Sequence, residues 1–103
     1  MVFVYITCKD KPEADKISRY LLEKRLIACT NSFPISSSYW WKGKIVSEDE
    51  YVLICKTMEE KYKLIVEEVE SIHSYDVPCI CLIHTETNAK YWTWVEQVIK
   101  KRF

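Results

Sequence analysis

Five cysteines and two histidines are the residues of this 103-residue chain whose types offer metal or thiol chemistry. Cys29, Cys79, Cys81, His73 and His84 carry soft or borderline donors, the kind that copper and zinc select. The run C-I-C-L-I-H, from Cys79 to His84, packs three of them most closely. Side chains alternate along a strand, so Cys79 and Cys81 share one face while His84 takes the other. That run alone cannot close a three-ligand site. The simpler reading of both cysteines is as small hydrophobes in a buried strand. Cys29 has the same two readings, core thiol or ligand, and Cys8 and Cys55 sit at strand ends with no ligand spacing. No C-x-x-C occurs, which argues against a closed structural zinc site. His73 falls at a predicted helix C-terminus, where the dipole favours its protonated form. It either caps the last carbonyls there or serves a function.

Catalytic patterns are missing. There is no G-x-S-x-G, no H-E-x-x-H and no phosphate cradle, since Gly43 is the only glycine. The carboxylates fall mostly on polar helix faces, so the chain reads as non-enzymatic. Fifteen basic residues balance fifteen acidic ones, which leaves no net field to gather nucleic acid or a membrane surface. No apolar run reaches the roughly 18 residues of a membrane span. The N-terminus shows no basic leader and no small-residue cleavage site. An odd number of irregularly spaced cysteines does not form a disulfide framework, so a cytoplasmic chain with reduced thiols is expected.

The elements that position these residues follow from periodicity. "VFVYITC" reads as a central strand. Asp10 as cap, Pro12 in the first turn and Glu13 at the capping-box position open a helix running to about Arg25. A strand is expected from Ile27 to Phe33, broken at Pro34 because proline interrupts a ladder, and resuming as far as Trp41. Lys42-Gly43 forms the turn into "KIVSEDEYVLICKT". "TMEE" at Thr57–Glu60 reads as the capping box of a second helix ending near His73. "PCICLIH" is another strand, and a helix capped near Thr87 or Asn88 closes the chain, its Lys100, Lys101 and Arg102 suiting the negative end of the dipole. The order is that of an α+β, ferredoxin-like split βαβ sandwich, an antiparallel sheet with both helices on one face, plus an extended hairpin and a C-terminal helix. One domain over residues 1–103 is expected.

Four motifs then point together: "EKRLIACTN", "YWWKGKI", "CKT" before a helix, and "HSYDVP". In that order, with "YWTWV" near the end, the chain resembles the CutA divalent-cation tolerance proteins. The resemblance implies a homotrimer with long hairpin strands joined between subunits. Tyr39, Trp40 and Trp41 then become interface residues, because a hairpin longer than its own core can bury both faces only against a neighbour. It also implies binding of copper or a similar divalent metal, with His73, Cys29 and Cys79 as candidate ligands and no cofactor required. Lys56, Tyr75 and Trp94 correspond to positions lining an intersubunit cleft, although a solvated lysine is the simpler reading of Lys56. The loop departs from the family's frequent His-Pro-Tyr-Glu at Ser74 and Asp76. Cys79 stands where the family often has a carboxyl group, and the first-strand thiol position falls at Ile6, with Cys8 nearby.

Two other functions fit parts of the pattern. A small-molecule sensor resembling the PII-type signalling trimers shares the protomer fold but uses a long loop that this chain lacks. Base stacking on an aromatic sheet would suit single-stranded nucleic acid. The missing basic excess and the missing RNP-like run argue against it.

Overall fold

The computed structural model describes residues 1–100. Four antiparallel strands lie in the order β2-β3-β1-β4: β1 Val2–Cys8, β2 Cys29–Trp41, β3 Lys44–Thr57 and β4 Ile80–His84. Helix α1, Lys11–Glu23, connects β1 to β2, and α2, Tyr62–Ile72, connects β3 to β4. Helix α3, Ala89–Ile99, closes the described chain. The expected cationic end of that helix falls partly on residues 101 and 102, outside the described residues. This is the ferredoxin-like α+β order, and it follows from the strand patterns. Val4, Ile6 and Cys8 alternate onto the face where α1 lays Ala14, Ile17 and Leu21, and α2 lays Ile65 and Val69. A second cluster, built on Ala28, Met58, Val95 and Ile99, holds α3.

Helix α1 begins as its sequence dictates, with the Asp10 side chain accepting from the Glu13 N–H at 2.9 Å. Its end differs from expectation, because Arg25 lies outside the helix with φ 56°. The Arg25 N–H bonds the Leu22 carbonyl and the Leu26 N–H bonds that of Leu21. These paired bonds form a Schellman motif with arginine in the left-handed position that glycine usually takes. The contact of Leu26 with the Leu21 core keeps the arrangement in place.

Two expectations are corrected. β2 is one uninterrupted ladder in which Pro34 pairs with Tyr51, so the break expected at Pro34 is absent. β2 is the edge strand, the place in a sheet where proline is tolerated. The capping box at "TMEE" does not form either. Thr57 ends β3, fully buried, and donates its hydroxyl to the Leu26 carbonyl at 2.6 Å. A 3₁₀ turn at Glu59–Lys61 leads into α2 instead.

The hairpin outgrows the sheet. β1 pairs with β3 only over Tyr51–Thr57, leaving Lys44–Glu50 paired to β2 alone. Lys42 and Gly43 both have positive φ, at 50° and 78°, as a two-residue type I′ turn requires. Near this tip the side chains find no helix beneath them. Trp40 and its cross-strand partner Ile45 are 71% and 67% exposed on one face, and Tyr39 and Trp41 are exposed on the other.

Removing the Thr57 hydroxyl tests the structural reading of that residue. Thr57→Val leaves the Leu26 carbonyl unpaired in the core, at a cost of about 1–3 kcal/mol, measured by chemical denaturation. A helix-capping role for Thr57 would instead lower the helix signal in circular dichroism.

Candidate metal centre

Three side chains converge where β1 ends, α1 begins and α2 gives way to the loop before β4. The ligand atoms of Cys8, Glu13 and His73 all lie within 4.8 Å of one another, and no other such group of three occurs among the described residues. Alternation in β1 turns Cys8 onto the core face. Glu13 reaches back from the first turn of α1. Its Oε1 accepts from the Lys9 N–H and its Oε2 from the Ser74 N–H, both at 3.0 Å. His73 leaves the helix in extended conformation at φ −74°, ψ 145°. Its ring therefore turns back toward β1 rather than capping α2.

Each polar atom here has a partner. His73 Nε2 lies 2.8 Å from the Thr7 carbonyl oxygen, and Nδ1 accepts from the Tyr75 N–H at 3.1 Å. A ring that donates at Nε2 and accepts at Nδ1 has the bonding pattern of the neutral Nε2–H tautomer, not the protonated form that the dipole suggested. Glu13 Oε1 lies 3.9 Å from Nδ1. Burial is the largest influence on the Glu13 carboxyl and raises its pKa. The Lys9 and Ser74 bonds oppose that and leave the pKa below its usual value. The Cys8 thiol has no such help. Burial, then the charges of Glu13, Glu50 and Asp10, push it up to about 12.

Tyr75 extends the cluster outward. Its ring centroid lies 4.8 Å from that of His73, and its hydroxyl donates to Glu50. Burial, then that hydrogen bond, raises the Tyr75 pKa.

Of the expected ligands, only His73 belongs to this group. Cys29 stands half-buried on β2 opposite Lys56, and Cys79 lies with its sulfur 3.5 Å from that of Cys81. Within one chain the set His73, Cys29 and Cys79 does not converge. The cleft residues divide similarly. Lys56 Nζ lies 5.4 Å from the ring centroid of Tyr91, and Trp94 lies 5.5 Å from the same ring, whereas Tyr75 belongs to the His73 group. Lys56 is thus half-buried against an aromatic ring and not simply solvated. Cys8 and Glu13 belong to this group without having been singled out as candidate ligands by the sequence. The capping-box spacing singled out Glu13, but only the chain reversal at His73 brings its carboxylate to an imidazole.

The sequence model of the CutA1 divalent ion tolerance protein family matches residues 2–98. The chain belongs to this family. The divalent-cation tolerance protein CutA of Archaeoglobus fulgidus is 43% identical over 95% of this chain and 97% of its own length. Its counterpart from Thermotoga maritima is 44% identical over 96% and 99%. A solved structure of the A. fulgidus protein, described as a periplasmic divalent cation tolerance protein, superimposes with a TM-score of 0.93, covering 96% of this chain and 99% of that one at 42% identity. CutA1 from Pyrococcus horikoshii gives a TM-score of 0.92 at 36% identity over 95% and 97%. These structures share the antiparallel sheet and helices of this CutA-family chain. No helix among the described residues is long and apolar enough to cross a membrane.

The Glu13 bonds set a pH dependence. Because its folded-state pKa lies below the unfolded one, its stabilisation is present in full above the ordinary carboxylate pKa and is lost as pH falls through the folded value. Glu13→Gln should flatten the acid limb of the stability–pH curve below about pH 4.5. It should also cost about 1–3 kcal/mol near neutral pH, by denaturant titration. An unchanged acid limb would remove Glu13 from this role.

Proposed function

We propose that the chain acts without catalysis as a homotrimeric metal-response protein that binds copper(II) or a similar divalent ion, with Cys8, Glu13 and His73 as the ligand set. The convergence of a thiol, a carboxylate and an imidazole within 4.8 Å carries this reading. Such a set mixes soft and borderline donors suited to copper and zinc. The family supplies the divalent-ion context, and no resident cofactor is needed. Binding exchanges existing bonds: the ion displaces the Cys8 proton and competes for atoms now engaged with Thr7, Tyr75, Lys9 and Ser74. Affinity therefore strengthens as pH rises.

The trimer rests on the hairpin. Its exposed Tyr39, Trp40 and Trp41 and the open edge of β2 favour pairing with further copies. Five free thiols favour a reducing, cytoplasmic setting. The PII-like alternative finds no support, because the β2–β3 connection is the turn between Trp41 and Lys44, with no loop to engage a partner.

Native mass spectrometry of reduced protein during copper(II) titration tests both parts. A three-chain species taking up one ion per chain is expected, with uptake lost in His73→Ala and in the milder Cys8→Ser. Undiminished uptake in both variants would overturn the ligand assignment, and a monomer at micromolar concentration would overturn the assembly.

A further inference from the structure

The two cysteines of the C-I-C run are not the buried hydrophobes that a central strand would make them. β4 is the other edge of the sheet, so Cys81 is exposed and Cys79 half-buried. Residues two apart on one strand face are separated by about 6.6 Å along the chain. Here the two sulfurs lean together to 3.5 Å, which leaves a thiol pair facing the same open space. A metal–sulfur bond of about 2.3 Å lets one ion span sulfur separations of up to about 4.6 Å.

Neighbouring structure favours this pair over the buried cluster for a thiophilic ion. Ile80 opposite Ile6 is the first pair of the β1–β4 ladder, so Cys79 lies outside it, next to Pro78. Its backbone can adjust without breaking a ladder bond. The two sulfurs hydrogen-bond each other rather than the main chain. Burial first, then the Cys81 hydrogen bond and the charges of Cys81 and Glu50, push the Cys79 thiol up to about 11, so an entering ion must displace its proton.

We infer that Cys79 and Cys81 form a second metal site, a two-thiolate clamp for a soft monovalent ion such as copper(I). The site is separate from the Cys8–Glu13–His73 group and does not depend on it. Each thiol gives up one proton and both sulfurs bond the same ion. No electron is transferred.

The test is an anaerobic copper(I) titration of the reduced, assembled protein against a chromogenic copper(I) chelator. One copper(I) per chain should be withheld from the chelator, with two sulfur neighbours in its X-ray absorption spectrum. Cys79→Ser and Cys81→Ser should each weaken retention at least tenfold, while Cys8→Ser leaves it unchanged. Circular dichroism confirms that the serine variants remain folded. Copper(II) uptake in Cys81→Ser separates the two sites, because it should persist if the buried cluster holds divalent ions. Retention that survives Cys81→Ser, or that vanishes with Cys8→Ser alone, would overturn the clamp.

Discussion

The two hydrogen bonds that the Glu13 carboxylate accepts, from the Lys9 and Ser74 amides, join segments 61 residues apart at the junction of β1, α1 and the loop after α2. A carboxylate only 7% exposed is costly unless its charge is matched, and two N–H donors supply the match. The effects are opposed within this one group. Burial alone would drive the carboxyl toward its neutral form, and the combined bonds reverse the outcome. Loss of either amide would leave a buried charge half satisfied. Segment order at this end of the sheet therefore depends on Glu13 remaining ionised.

From Glu13 the network continues to the root of the hairpin. His73 is fixed at both ring nitrogens, by Thr7 and by the Tyr75 amide, and Tyr75 carries the chain of contacts to Glu50. Glu50 immediately precedes Tyr51, the residue where β3 begins to pair with β1. Beyond that point the ribbon has one partner strand and no helix under it. A two-stranded ribbon is marginal in water by itself. Holding its root by a buried carboxylate–tyrosine pair sets the direction in which Tyr39, Trp40 and Trp41 are presented. The elongated shape, 48 × 25 × 22 Å, follows from this overhang.

The regular parts of the fold were legible because their signals are local. Alternation in β1, the Asp10 cap and the Lys42-Gly43 turn each rest on residues within a few positions. Errors arose where a distant partner outbid a local preference. Thr57 has a capping sequence, yet its hydroxyl goes to the carbonyl of Leu26, 31 residues earlier in the chain. Pro34 would break a central strand, and only the sheet order shows that β2 is an edge. The candidate centre was hard to read from the sequence for the same reason. His73 was visible as a residue of interest, but its partners come from β1 and the first turn of α1. Cys29 on β2 and Cys79 just before β4 lie outside this group.

Placement also separates what the thiols can do. A buried thiol beside a carboxylate is held in its protonated form, and the polar atoms around it are already paired, so a ligand entering there must replace bonds that support the fold. That couples occupancy to the junction of three segments, and hence to the root of the hairpin. The thiols at the β4 edge carry no such coupling, since their side-chain hydrogen bond is mutual and Cys79 lies outside the β1–β4 ladder. Metal at the first position would alter the stability of the fold, whereas metal at the second would leave it nearly untouched. Under the proposed function, the buried position is therefore the one at which a bound ion would act on the root of the hairpin.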